Sequence, residues 1–172
     1  MSRREHRDVE THIRPDESIV VELDGVVPGF TRWSTIGGII GIVIALTVPR
    51  VINLPFLAGI LVIVVVLLGT FGIIYYLVGR PMAAKCVPPM SGPYLSLVLT
   101  DKRLLVLDRA LSSDQPELKE SASVADIGSI RYEKSGPLSP QRLQYVVQGT
   151  DRRQFEFARS EPVKKLVEAF GE

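Results

Sequence analysis

The stretch YLSLVLTDKRLLVLD, residues 94–108, contains two apolar runs separated by the polar pair DK. In the first run Leu95, Leu97 and Leu99 alternate with other residues, which places them on one face of a β-strand. The polar pair is typical of a turn between antiparallel strands. The stretch therefore predicts a β-hairpin with one buried face, and it begins fifteen residues after a long apolar segment that ends at Gly79.

Shorter strand-like runs continue after this hairpin and are separated from one another by turn residues. They lie at residues 118–124, 127–132, 143–148 and 154–157. The sequence then changes to a helical period in SEPVKKLVEAF, where Ser160 is the predicted N-cap. Apolar residues recur there at helical spacing: Val163, Leu166, Val167 and Phe170. The pattern thus predicts six antiparallel strands and one amphipathic C-terminal helix that covers the sheet.

The first half of the chain is far more apolar than the second. Between Arg32 and Arg80 the only charged residue is Arg50. Residues 56–79 would extend about 36 Å as a helix, enough to cross a hydrocarbon core of about 30 Å. Residues 33–48 are shorter, but they also predict a span, because a single span would leave this apolar run exposed to water. We therefore expect a hairpin of two transmembrane helices.

Charges near the ends of the two spans predict their orientation. Arg14, Arg32, Arg80 and Lys85 lie on the side of the termini, and only Arg50 lies in the loop. Positive residues tend to stay in the cytoplasm, so both termini are expected there, in an integral protein of the plasma (inner) membrane. The first apolar run begins about thirty residues from the start, too late for a cleavable signal peptide. Both helices are therefore expected to remain in the mature chain.

Glycines in the two spans predict close packing of helices. Gly37 and Gly41 are four residues apart in the first span, and Gly69 and Gly72 lie in the second. Small residues let helix backbones approach closely. Packing of the two helices within one chain is the favoured interpretation, and a face for a second copy or for the helices of a partner is the alternative. Neither span has an ionisable residue in its interior, which argues against transport.

Residues that carry chemistry are sparse in this sequence. Cys86 is the single cysteine, which excludes an intrachain disulfide and the usual thiolate set of a zinc cluster. His6 and His12 lie in the polar head of the chain, where a solvated tail is favoured over a metal site. Neither a phosphate-binding glycine loop nor a Ser-His-Asp set is recognisable. We therefore expect no enzyme activity, no cofactor and no metal.

The order of the predicted elements resembles that of the bacterial pleckstrin-homology-like (PH-like) family. The resemblance rests on LVLTDKRLLVLD, ASVADIGSI, YVVQGTDRRQFEF and PVKKLVEAF, and on RPDESIVVELDGVVPGFTRW ahead of the first span. It implies a membrane α-helical hairpin followed by a mainly-β PH-like barrel or sandwich with a C-terminal capping α-helix. The implied organisation is a polar tail (1–14), a segment with a short strand (15–29), a hairpin (30–79, with spans at 33–48 and 56–79), a linker (80–93) and a cytoplasmic PH-like domain (94–172).

A PH-like barrel has seven strands, which is one more than the six predicted above. Two segments could supply the missing strand. They are IVVEL at residues 19–23, before the hairpin, and MAAKCV at residues 82–87, after it. The first is favoured as a covering strand at the edge of the sheet.

Two basic turns hold the candidate binding residues. They are Lys102 and Arg103 at one turn and Arg152 and Arg153 at another, and in PH domains such residues commonly hold phosphoinositide headgroups. Residues 94–172 contain twelve basic and twelve acidic side chains, so the basic excess expected of an anionic-lipid reader is missing. Solvated turn residues are the favoured interpretation. A basic stripe with interleaved aromatics is missing as well, so no nucleic-acid partner is expected.

These observations predict one favoured function and leave two alternatives. The favoured function is a membrane-anchored PH-like module for binding or scaffolding at the cytoplasmic face, with the lipid bilayer and a membrane or cytoplasmic protein as its partners. The first alternative is a sensor of anionic lipid headgroups that uses the two basic turns. The second is an accessory subunit of a larger membrane complex, docked through the glycine faces of its helices; self-association into a homo-oligomer is left open.

Overall fold

The computed structural model describes residues 11–52, 55–111, 115–134, 140–148, 152–157 and 160–170. The chain begins with strand β1 (Ile19–Val26), followed by the helices α1 (Phe30–Val51) and α2 (Phe56–Ile74), a π-helical turn (Tyr75–Gly79) and the short helix α3 (Arg80–Ala84). Six strands follow: β2 (Tyr94–Thr100), β3 (Arg103–Asp108), β4 (Glu117–Ser123), β5 (Ile127–Lys134), β6 (Gln141–Val147) and β7 (Arg152–Phe157). A 3-10 turn (Val124–Asp126) separates β4 from β5, and helix α4 (Ser160–Ala169) ends the described chain.

The strands form one seven-stranded sheet in the order β4-β3-β2-β1-β7-β6-β5, and every neighbouring pair is antiparallel. The six predicted strands and the C-terminal helix are confirmed. The seventh strand comes from the favoured segment before the hairpin, but its predicted position at the edge is wrong. The alternative at residues 82–87 is wrong too, because this segment begins inside α3.

Strand β1 is central, and it joins two parts of the sheet that are distant in sequence. It pairs with β2 through seven residue pairs, from Ile19↔Thr100 to Val26↔Tyr94. On its other side it pairs with β7 at Gly25↔Phe157 and Val26↔Glu156. The backbone N–H of Val27 then donates to the carbonyl of Pro93 at 2.9 Å. The two long helices are therefore an insertion in the connection between two directly paired strands.

The alternating leucines of β2 face the main core, as the sequence predicts. Leu95, Leu97 and Leu99 are buried in the same apolar cluster as Leu143 of β6 and Phe155 of β7. Val163 and Leu166 of α4 complete this cluster, whereas Val167 and Phe170 are half-buried at its margin. Helix α4 packs against β1 and β5, so it covers the sheet as predicted. The helix begins at Ser160, the predicted N-cap residue. The side chain of Ser160 lies outside the described part of the chain, so its N-cap hydrogen bond stays a prediction.

The opposite face of β2 and β3 is buried as well, which the alternating pattern did not predict. Val98, Leu105 and Leu107 form a second apolar cluster, with Ile13 and Ile19 packed against it. The N-terminal segment that carries Ile13 crosses this face of the sheet. Strands buried on both faces have continuous apolar runs, and LLVL at residues 104–107 is such a run.

Helices α1 and α2 bury few of their side chains, unlike the strands of the sheet. Two helical segments are long and apolar enough to cross a membrane: Phe30–Val51, which is α1, and Phe56–Ala84, which combines α2, the π-helical turn and α3. Most of their large side chains are exposed. Helix α1 begins three residues before the predicted span, because Phe30 is buried against the sheet. Gly29, at φ 82°, has a left-handed backbone conformation that favours glycine, and it allows the chain to turn from β1 into α1.

The central position of β1 can be tested with two substitutions in the same strand. Leu23 is 3% exposed in the main core, whereas Val20 is 51% exposed. We expect Leu23→Asp to lower the free energy of unfolding by at least about 3 kcal/mol, because it removes core packing and buries a charge. We expect Val20→Asp to change it by less than about 1 kcal/mol. The measurement is denaturation of the full chain in detergent micelles, followed by circular dichroism; equal small effects would contradict a central β1.

The contribution of α4 can be tested in the same way. Leu166 is fully buried, and its neighbour Lys165 is exposed. We expect Leu166→Ala to cost about 2 to 5 kcal/mol, because truncating a buried leucine loses transfer energy and leaves a cavity. Lys165→Ala is the matched control and should be nearly neutral. A loss of less than about 1 kcal/mol for Leu166→Ala would show that α4 is not part of the core.

Candidate functional site

An aromatic cluster connects the two long helices to the sheet. The ring of Tyr75, in the π-helical turn, stacks on the ring of Tyr94, at the start of β2, with their centroids 6.3 Å apart. Phe30, at the start of α1, meets the ring of Tyr94 edge-on at 5.7 Å. Offset and edge-on arrangements are the favourable geometries for aromatic pairs. The beginning of α1 and the end of α2 are therefore held at the same end of the sheet.

Close backbone contacts tighten this junction. The hydroxyl of Tyr75 accepts a hydrogen bond from the backbone N–H of Leu111 at 3.3 Å, beyond the end of β3. A Cβ atom at Gly79 would lie 2.9 Å from both Phe30 and Pro93, so only glycine fits at this position. The helices and the sheet are therefore in direct contact and not joined by a loose linker.

The first basic turn, between β2 and β3, is neutralised by the segment that precedes β1. The ammonium group of Lys102 pairs with the carboxylate of Asp16, and both side chains are exposed. The guanidinium of Arg103 donates to the carboxylate of Glu17 at 3.0 Å, and the side chain of Glu17 is only 1% exposed. Arg103 also donates to the carbonyl of His12 at 3.0 Å. This arginine thus holds the N-terminal segment against the sheet.

The second basic pair, at the start of β7, has one buried and one exposed member. Arg153 is 7% exposed and donates to Glu120 of β4 through Nη2 at 2.7 Å and through Nε at 3.1 Å. The hydroxyl of Tyr145 donates to the same carboxylate at 3.2 Å, and burial raises the pKa of Tyr145 well above its usual value. Arg152 is exposed and donates to the side-chain oxygen of Gln144 at 3.3 Å.

The contact between Glu120 and Arg153 also shapes the sheet. Strands β4 and β7 are separated in the sheet by β3, β2 and β1. A direct ion pair between them requires the sheet to curl back on itself, as a barrel or sandwich does. We name the Glu120–Arg153–Tyr145 group the clasp. Of the four predicted binding residues, Arg103 and Arg153 are therefore held in contacts within the fold, and Lys102 and Arg152 remain at the surface.

The four predicted packing glycines divide into two pairs. Gly37 of α1 lies against Ile74, and a Cβ at Gly41 would lie 3.1 Å from Thr70, so this pair faces α2. No atom of the described residues lies within 4 Å of a Cβ built at Gly69 or Gly72, so this pair faces away from α1. A cavity of about 220 Å³ lies between the helices, and it is lined by Phe30, Ser34, Gly38, Gly41, Leu67, Thr70, Phe71 and Ile74.

Residues suited to metal binding are not clustered in the described part of the chain. No group of three or more His, Cys, Asp and Glu residues is placed there to hold a metal ion. His12 Nε2 forms a hydrogen bond with the carbonyl of Pro116 at 2.9 Å, and His6 lies outside the described residues. Cys86 is a half-buried free thiol, and burial raises its pKa to about 11.

Sequence reasoning missed the acidic partners of the basic turns. Glu17 lies 86 residues before Arg103, and Glu120 lies 33 residues before Arg153. No spacing rule connects residues so far apart. The aromatic junction was missed for the same reason, although the two adjacent tyrosines at the end of the second span, Tyr75 and Tyr76, were a visible signal.

Comparison with known proteins finds similarity to solved structures but no matching family model or curated protein. Among solved structures, the chain is similar to the crystal structure of a pleckstrin homology domain from Shewanella amazonensis SB2B. The sequences are 16% identical, and the match covers 44% of this chain and 73% of that one with a TM-score of 0.35. This score is too low to establish a common fold.

The two neighbouring arginines of β7 are expected to differ in how much they contribute to the stability of the fold. We expect Arg153→Ala to lower the free energy of unfolding by about 3 kcal/mol, because it leaves the carboxylate of Glu120 largely buried without its cation. We expect Arg152→Ala, the matched control at the surface, to change it by less than about 0.5 kcal/mol. Urea denaturation of the full chain in micelles measures both. Equally small effects of both substitutions on the free energy of unfolding would show that the clasp does not stabilise the fold.

Proposed function

We propose that the chain is a membrane-anchored PH-like module that binds or scaffolds other molecules at the cytoplasmic face of the plasma membrane. The observation that carries this proposal is the direct pairing of β1 with β2 on either side of two long apolar helices. A pairing of this kind fixes the sheet at one end of the helices. If the helices span the bilayer, the sheet lies at the membrane surface and cannot diffuse away from it.

The PH-like assignment is supported by the number and order of the elements. Seven antiparallel strands are followed by one C-terminal helix, and the sheet curls so that the clasp can close. These features agree with the resemblance of the sequence to the bacterial PH-like family. A fold of this kind is compatible with many functions, so the proposal of a binding role rests on the membrane anchor and on the lack of catalytic motifs in the sequence.

The cytoplasmic orientation is supported by charges around the helix ends. Arg32, Arg80 and Lys85 lie at the end of the helices that joins the sheet, and Arg50 lies at the other end. The guanidinium of Arg80 lies over the ring of Tyr76, 5.8 Å from its centroid. An exposed tyrosine beside an arginine is typical of the interface between hydrocarbon and headgroups.

Of the two alternatives, the accessory subunit has the more direct support. Gly69 and Gly72 leave a smooth strip on the side of α2 that faces away from α1, and a partner helix could approach closely there. The lipid-headgroup sensor has less support, because Arg103 and Arg153 are already paired with Glu17 and Glu120. A headgroup would have to displace these carboxylates before it could use either arginine.

Thiol labelling tests the proposed anchoring and orientation. In a Cys86→Ser background, a cysteine is placed either at Ile52, at the loop end of α1, or at Lys164, which is exposed on α4. A membrane-impermeant maleimide is added to intact cells. We expect Ile52→Cys to react at once, and Lys164→Cys to react only after the membrane is permeabilised, because the sheet lies on the cytoplasmic side.

The native thiol is replaced because it would give an ambiguous result. Burial raises the pKa of Cys86 to about 11 from 9.0. At neutral pH its thiolate fraction is then about a hundredfold lower than that of an ordinary cysteine, so it would label slowly on either side of the membrane. If Lys164→Cys is labelled in intact cells and Ile52→Cys is protected, the orientation is the reverse of the proposed one. Equal labelling of both in intact cells, or recovery of the chain in the soluble fraction, would contradict the anchor.

A further inference from the structure

Strand β5 ends the sheet, and its outer edge faces none of the other described strands. It pairs with β6 on one side only. An edge strand presents unpaired backbone N–H and C=O groups that can pair with another strand. Helix α4 lies beside the first half of β5, where Val167 and Phe170 line a groove with residues 127–131. The second half of the strand extends beyond these groove-lining positions.

The side chains of β5 alternate between the core and the surface. Ile130 and Tyr132 pack against the core, whereas Arg131 and Glu133 are exposed on the opposite face. Neither of these two charged residues forms an ion pair with another described residue. Arg142 lies directly across from Glu133 on β6, but its guanidinium pairs with Glu156 at 3.4 Å. Among its described side chains, the edge therefore presents one positive and one negative charge, two residues apart.

We propose that β5 pairs antiparallel with β5 of a second copy of this chain, about a two-fold axis at Tyr132. In this register Arg131 lies opposite the partner's Glu133, and Glu133 lies opposite the partner's Arg131. A two-fold axis repeats every contact, so a strand that pairs with itself must complement itself. Directly opposed residues of unlike charge stabilise an antiparallel pair, and like charges destabilise it.

Other registers of the same strand lack this complementarity. An axis at Arg131 would oppose two arginines, and an axis at Glu133 would oppose two glutamates. A register shifted by one residue would oppose core-facing side chains of one copy and surface-facing side chains of the other, which a two-fold axis perpendicular to the sheet does not allow. The two charges therefore select a single register among the neighbouring ones, which is the role that charged pairs commonly have at strand edges.

The other edge of the sheet does not offer a comparable pattern. On β4 the charged residues near the strand centre have partners within the chain. Glu120 belongs to the clasp, and Lys119 pairs with Glu117 at 2.7 Å. Self-pairing is therefore assigned to β5 and not to β4. Pairing at β5 does not require the helices to lie in a bilayer, although two copies anchored in one membrane would meet more often.

Charge reversal in the full chain tests this interface. The masses of the particles are measured in detergent micelles by sedimentation, over a range of protein concentrations. We expect the wild-type chain to dimerise. We expect Arg131→Glu and Glu133→Arg each to raise the dissociation constant at least about tenfold, because each creates two pairs of like charges at the interface. The double variant Arg131→Glu/Glu133→Arg restores both pairs and should dimerise like the wild type.

Mixing the two single variants gives the sharpest result. Each should be largely monomeric alone, but an equimolar mixture should form a heterodimer, since two glutamates then face two arginines. Added salt should weaken the wild-type dimer and this heterodimer alike. Lys164→Glu and Glu168→Arg, at exposed positions of α4, are the matched controls and should leave the wild-type dimer unchanged.

Three results would overturn the proposal. The first is a wild-type chain that stays monomeric at all concentrations. The second is a dimer that neither single reversal weakens, which would place the interface elsewhere, for example on the open side of α2. The third is a failure of the mixture and of the double variant to dimerise, while circular dichroism shows that both single variants remain folded. Failure of the thiol-labelling test would leave this proposal standing, because the dimer is measured outside a membrane.

Discussion

The antiparallel pairing of β1 with β2 is the constraint on which the rest of the structure depends. It joins residues that are more than sixty positions apart and leaves two long apolar helices as the connection between them. Because β1 also pairs with β7, the same strand joins the β2–β4 part of the sheet to the β5–β7 part. The seven-stranded sheet is therefore incomplete without the strand that precedes the helices. The two long helices and the sheet are therefore directly connected and are not separate parts joined by a linker.

Buried charge is the second feature that organises this fold. Removing a charged group from water is costly unless it is paired and hydrogen-bonded. Arg153, which is buried, is held by Glu120 within the clasp, and the buried carboxylate of Glu17 is paired with the half-buried Arg103. Each pair joins segments that are distant in the sheet or the sequence. Their positive charge is thus used to close the structure, which leaves little of it to attract an anionic lipid.

The surfaces that remain open differ in character. The aromatic junction is held by contacts within the chain, and Gly37 and Gly41 of α1 face α2. The outer side of α2 is apolar and includes Gly69 and Gly72, which suits a hydrocarbon environment or another helix. The edge of β5 is polar and carries opposite charges, which suits another strand. The two open surfaces therefore suit neighbours of different kinds.

The sequence alone determined the elements, because strands and helices follow from local patterns of apolar and turn residues. Alternation at Leu95, Leu97 and Leu99, and helical spacing at Val163 and Leu166, predicted their segments and their buried faces. The tertiary structure decided where β1 lies, which arginines are free, and which glycines face a neighbour. Each of these depends on pairing between distant residues, such as Glu17 with Arg103, and local spacing contains no information about such pairs. Only closure of the sheet brings these residues together, so their roles were set by the fold and not by the sequence around them.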